Sequence, residues 1–157
     1  MPIFCFDASA FINPHRRYYP VDIFPSFWSE LEARITSGQL VTSELVREEI
    51  DQKDDELRKW IRGQDQLIVP MDDAQQEQIA TIVPRFSKWF DPRSTKNNAD
   101  AFVVALAKAN GLTVVSDEKF GGPTNLRIPF VCAQLGVQRV SIYDYIRQTK
   151  LRFGTVH

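Results

Sequence analysis

Residues 3–9, Ile-Phe-Cys-Phe-Asp-Ala-Ser, decide how the rest of the chain reads. Four apolar residues in succession, with no polar alternation, match a short strand covered on both faces. Asp7 ends the run abruptly and so places a carboxylate at that strand's carboxyl end. A strand covered on both faces needs layers above and below it, and the following sequence has the periodicity to supply them.

After a loop at NPHRRYYP, Phe27, Leu31 and Ile35 recur at helical spacing until Gly38, a C-cap residue. QLVTS then reads as a second strand. Ser43 is placed to cap a helix through ELVREEIDQ, and DELRKWIRG continues helically with Leu57, Trp60 and Ile61 as its stripe. QLIVP is a weaker strand. DDAQQEQIATIVPRFSKWF reads as helical on both sides of Pro84, which should kink or break it, and DPRSTKN as a polar loop. NNADAFVVALAKANG is the clearest helix, with Asn caps at its start and Gly111 at its stop. The strand LTVV, an irregular SDEKFGGPTNLRIP, a helix around FVCAQLG, a strand VQRVS and a helix IYDYIRQTK complete the chain. Alternation of this kind predicts an α/β fold with a parallel sheet and helices on both faces. With no repeat, low-complexity tract or Gly/Ser linker, residues 1–157 are expected to form a single domain.

Hydrophobic residues make up 43% of the chain and charged residues 25%, ordinary values that exclude a disordered or membrane-embedded class. No apolar run approaches the roughly 20 residues that span a bilayer, and no basic segment precedes the first apolar stretch, so a cytoplasmic location is expected. Cys5 and Cys132 sit among apolar neighbours and read as core, not as a redox or zinc pair. A formal net charge of −1 means that any nucleic-acid surface must be a local basic patch. FGGPTN lacks the phosphate-loop pattern and reads as a turn. His15 and His157, the two histidines, support no Ser-His-Asp arrangement.

The acids carry more. In a parallel sheet the strands' carboxyl ends share one edge, and ligands bind where the strand order reverses. Asp7 ends the first strand; Asp117 and Glu118 follow LTVV. Asp100 lies in the first turn of the helix leading into LTVV, and periodicity alone does not fix its position relative to that edge. Glu49 lies beside the apolar stripe of Val46 and Ile50, whereas Glu44 and Glu48 project elsewhere; Arg47 and Lys53 stand nearby. Oxygen-only ligands suit hard cations, so magnesium or manganese is the expected metal, and carboxylates around such ions support phosphodiester hydrolysis. Taken singly, each acid also fits a plain role: helix N-terminus for Asp100, turn for Asp7, loop for Asp117, solvated helix face for Glu49.

These residues resemble the PIN-domain nucleases of the VapC type. Asp7-Ala8-Ser9 looks like the family's opening motif, TSELVREEI is similar to its S-x-x-V-x-x-E-[LI] and selects Glu49 over Glu48, and Ala99-Asp100-Ala101 looks like its A-D-A helix start. YYP at 18–20, FPSFW at 24–28, the Trp60 region, RIPFVC at 127–132 and the closing LRF resemble a bacterial and archaeal PIN-like subfamily, over nearly the whole chain. The last acidic motif departs from the pattern. Val115-Ser116-Asp117-Glu118 admits two registers: Ser116-x-Glu118 keeps the T-x-E-like spacing, and Asp117 keeps the spacing from the acid to Phe120.

The resemblance implies a three-layer PIN-like sandwich and a metal-dependent endoribonuclease, the toxin of a toxin–antitoxin pair. Asp7, Glu49, Asp100 and Asp117 or Glu118 would hold the ion, and Ser9 would hydrogen-bond the cluster or a substrate phosphate. Tyr18 and Tyr19 beside Arg16 and Arg17 offer an RNA contact. The implied partners are RNA and an antitoxin protein, with a homodimer as the assembly to test. Two rivals stand beside this reading. One is a phosphotransfer or phosphatase domain using Asp7 as nucleophile, against which Ser9, in place of a second Asp, argues. The other is a catalytically silent PIN-like module that binds RNA or protein.

Overall fold

The computed structural model describes residues 2–53, 55–90 and 98–152. Its strands are β1 (Phe4–Phe6), β2 (Leu40–Ser43), β3 (Ile68–Val69), β4 (Thr113–Val115) and β5 (Arg139–Val140). They form one parallel sheet in the order β3-β2-β1-β4-β5. The helices are α1 (Ala8–Asn13), α2 (Pro25–Thr36), α3 (Glu44–Lys53), α4 (Asp55–Arg62), α5 (Asp73–Arg85), α6 (Asn98–Asn110), α7 (Ile128–Leu135) and α8 (Ile142–Thr149). A π-helical turn, Pro14–Tyr18, continues from α1.

Phe4, Cys5 and Phe6 of the apolar run become β1, which lies in the middle of the sheet and is buried along its whole length, whereas Ile3 precedes the strand and is exposed. Period-two alternation divides its side chains between two helical layers. Phe4 and Phe6 meet the ring of Tyr145 on α8 edge-on, with centroids 4.9 Å apart, and Phe6 also packs on Phe11 of α1. Cys5 points the other way, its thiol donating to the Val103 carbonyl of α6 at 3.8 Å. Burying one such phenylalanine contributes roughly 2–3 kcal/mol, so this three-layer packing fixes β1 firmly. Both cysteines are free and buried in the core, as their apolar neighbours imply.

Strand order reverses at β1: the chain goes to β2 on one side and later returns to β4 on the other. The register Phe6↔Val115, extended by the Asp7 amide donating to the Val115 carbonyl at 3.0 Å, sets Asp7 alongside Ser116. Helices that connect parallel strands run back antiparallel to them, so α3 and α6 begin at the same carboxyl edge.

Two expectations are corrected. The segment before Tyr18 is helical, not a loop, because Asp7 caps α1 directly through the Ala10 amide at 3.1 Å. The helix through Pro84 does not resume beyond it: α5 ends at Arg85, and residues 86–89 form turns. Pro84 thus occupies the last turn, while buried Phe86 and Trp89 fold the following chain onto the core. The expected loop DPRSTKN at 91–97 lies outside the described residues. Several of the motif aromatics pack together, although Tyr18 and Phe24 are exposed. Trp28 donates to the Tyr19 carbonyl at 2.7 Å, packs against Trp60 with ring centroids 4.8 Å apart and contacts Phe27, whose ring lies tilted against that of Tyr19. Among the described residues, no helix is long and apolar enough to cross a membrane.

Candidate active site

At the carboxyl edge of β1, a cleft of about 240 Å³ is lined by Asp7, Ser9, Arg16, Glu49, Lys53, Asp100, Glu118 and Arg127, among others. One carboxylate oxygen each from Asp7, Asp100 and Glu118 lie within 4.8 Å of one another. The three come from the end of β1, the first turn of α6 and the segment after β4. The antiparallel course of α6 brings Asp100 to this edge, a relation that helical periodicity does not contain.

Asp7 is held on every side. Its Oδ1 accepts from the Ser9 hydroxyl at 2.7 Å and from the Ala10 amide at 3.1 Å, and its Oδ2 accepts from the Ser116 hydroxyl at 3.0 Å. Ser9 Oγ in turn accepts the Asp117 amide at 2.8 Å, and Ser116 Oγ the Glu118 amide at 3.2 Å, so the two hydroxyls join the ends of β1 and β4. Arg139 reinforces this junction by donating to the Ser116 carbonyl at 2.6 and 3.2 Å and to the Glu118 carbonyl at 3.2 Å.

The adjacent acids after β4 diverge. Glu118 joins the cluster, and its Oε2 accepts the Ile128 amide at the start of α7 at 3.2 Å. Asp117 turns away, its Oδ1 accepting the Ile142 amide at the start of α8 at 3.0 Å. It is absent from both the three-acid group and the cleft lining, so of the two adjacent acids Glu118 lies with Asp7 and Asp100, and Asp117 has a helix terminus to stabilise. Glu49 lines the cleft but lies outside the three-acid group; it pairs with Lys53 one turn later at 3.7 Å.

Concentrated negative charge perturbs these groups. Burial, then the Glu118 charge, pushes Asp7 from its ordinary 3.8 up to about 7, against the opposing hydrogen bonds of Ser9, Ser116 and Ala10. Asp100 is held well above the usual carboxylate range by burial, by Glu118 and Asp7, and by a hydrogen bond with Glu118. Burial raises Glu49, with Lys53 opposing. Two unit charges 4.8 Å apart repel by roughly 3 kcal/mol at an effective dielectric of 20. Among the described residues no cation pairs with Asp7, Asp100 or Glu118. The cluster therefore either retains protons or holds a cation, and an all-oxygen donor set fits a hard divalent ion.

The basic candidates separate too. Arg16 lines the cleft and donates to the Lys53 carbonyl at 2.9 Å, while Arg17 and Tyr18 are exposed outside its lining. Tyr19 belongs to the aromatic packing under α2. His15 accepts the Val21 amide at 3.2 Å. Arg127, which opens the RIPFVC stretch but was not expected at the site, also lines the cleft, just before the helix-opening Ile128-Pro129. FGGPTN does form a turn, closed by reciprocal Gly122–Asn125 backbone bonds.

A family model described as Domain of unknown function (DUF4411) matches residues 4–153. The chain belongs to this family. No curated protein matches this DUF4411 member. Among solved structures it is similar to VapBC-1 from nontypeable Haemophilus influenzae, with 12% identity and a TM-score of 0.55 over 90% of this chain and 98% of that one. It is also similar to VapBC2 from Rickettsia felis, solved bound to a DNA fragment from their promoter, with 8% identity and a TM-score of 0.52 over 88% and 98% of the two chains. At such identities the likeness is one of fold. The DUF4411 chain is a PIN-like three-layer α/β sandwich around a parallel sheet.

Proposed function

We propose that this chain is a metal-dependent endoribonuclease, the toxin of a toxin–antitoxin pair acting in the cytoplasm. The observation that carries the proposal is the convergence of Asp7, Asp100 and Glu118 at the strand-order reversal of a PIN-like sheet. These three would hold magnesium or manganese, with Glu49 completing the acidic wall. When bound, such an ion supplies Lewis-acid activation of water and stabilises charge developing on a phosphodiester.

The chain's own residues prepare that chemistry. Ser9 and Ser116 fix both oxygens of Asp7, so the carboxylate is presented in one orientation. The Ile128 amide does the same for one oxygen of Glu118. Lys53 partly balances Glu49, and Arg16 braces the end of α3 through the Lys53 carbonyl, keeping this wall of the cleft in place. The likeness to VapBC structures supports an antitoxin protein as partner.

The test is cleavage of RNA by purified protein with manganese or with a chelator, beside Asp100→Asn. Cleavage by wild type only with manganese, reduced on the order of 100-fold in the variant, is the expected result. Equal activity of wild type and variant would overturn the proposal.

A further inference from the structure

The cleft's cations differ in what they already bind. Lys53 is paired with Glu49, and the Arg16 guanidinium is tied to the Lys53 carbonyl. Arg127 lines the same cleft and is exposed, yet among the described residues no hydrogen bond or ion pair engages its guanidinium. A cation placed to neutralise the acids would pair with one of them. Arg127 does not.

Its stem, in contrast, is closely packed. Gly121 has φ +80°, and a Cβ there would lie 2.7 Å from Arg127 Cγ, 2.8 Å from Arg127 Cβ and 2.5 Å from the Asn125 carbonyl oxygen. Only glycine lets the backbone run against the arginine in this way. The Gly122–Asn125 bonds close the turn between them, and the next residue, Ile128, donates its amide to Glu118. One short segment thus fixes both an acid of the cluster and the base of an uncommitted guanidinium.

We infer that Arg127 is a substrate-binding residue that grips a backbone phosphate of the RNA strand beside the acidic cluster. This rests on the ribonuclease reading above. A planar guanidinium matches two phosphate oxygens at once, whereas the acids opposite repel the strand, so one anchored phosphate keeps the polyanion in register.

The experiment measures binding of a labelled single-stranded RNA, in chelator, across 50–200 mM salt, and cleavage kinetics with manganese. Arg127→Ala should weaken binding about 10-fold and lower the log–log salt slope by about 0.7, the signature of one lost phosphate contact on a single strand. KM should rise while kcat stays within about twofold, and Arg127→Lys should restore part of the affinity. Gly121→Ala, which keeps every charge but displaces the arginine stem, should weaken binding similarly, with circular dichroism of each variant reporting retention of the fold. Unchanged affinity, salt slope and KM in Arg127→Ala, in an enzyme that cleaves, would overturn the anchor and leave the ribonuclease reading standing. RNA binding that depends on Arg127 without any cleavage would support the anchor and remove the nuclease. Absence of both binding and cleavage in wild type would remove both.

Discussion

The carboxyl ends of β1 and β4 lie side by side, both end in acid, and use that acid differently. At β1 a single carboxylate, Asp7, caps the helix that follows at once and faces the cluster. At β4 two consecutive carboxylates divide the work: Glu118 faces the cluster and holds the start of α7, while Asp117 holds the start of α8. Position at a strand end is therefore insufficient to mark a site residue. The distinguishing property is which helix terminus, near or remote in sequence, claims the carboxylate first.

Breaking the shared cluster should give the largest effect. Asp7→Asn and Asp100→Asn are each expected to lower manganese-dependent cleavage on the order of 100-fold or more, measured by initial rates on a labelled RNA. Asp7→Asn also turns an amide towards donors at Ser9, Ala10 or Ser116, while relieving the charge crowding with Glu118.

The hydroxyl link between the two ends comes next. Ser116→Ala removes a donor to Asp7 and an acceptor for the Glu118 amide. Loss of such a supporting hydrogen bond typically costs 10- to 100-fold in metal affinity, so roughly 10-fold weaker manganese binding by calorimetry is expected.

A third effect is one of pH in metal-free protein. Asp7 is raised to about 7 in the fold from an ordinary 3.8, and Asp100 is raised as well. Between those values the folded state keeps protons that the unfolded chain has released, so this contribution to stability is full below about 4 and lost as pH rises through about 7. Tm should fall across that window, manganese should raise Tm more at pH 7.5 than at pH 5, and Asp100→Asn should flatten both trends. A wild-type Tm whose pH dependence matches that of Asp100→Asn would contradict the charge crowding.

The smallest effect belongs to the other acid of β4. Asp117→Asn should cost about 1 kcal/mol of stability, the scale of a helix-terminus interaction, seen in denaturant unfolding, with activity per folded molecule preserved.

Much of this could be read from the sequence, for a local reason. The run Ile3–Phe6 is short, unbroken and followed by Asp7, so strand, edge and acid are specified within a few residues. The helix from Asn98 to Asn110 carries its own start and stop. What escaped depends on distance or on competition between neighbouring signals. The helical course of residues 8–18 was obscured by Pro14 and the tyrosines, although Asp7 supplies the cap. The choice between Asp117 and Glu118 is made by amides 25 and 10 residues downstream, which periodicity cannot see. Arg127 lines the cleft with its stem packed against Gly121, a contact across the turn that periodicity does not contain.

The most direct test of the division between the two strand ends is manganese binding by isothermal titration calorimetry, comparing wild type, Glu118→Gln and Asp117→Asn at pH 7.5. Wild type is expected to bind, Asp117→Asn to bind within about twofold of it, and Glu118→Gln to be weaker by roughly 10-fold or more. No binding by wild type, or equal weakening in the two variants, would contradict this division.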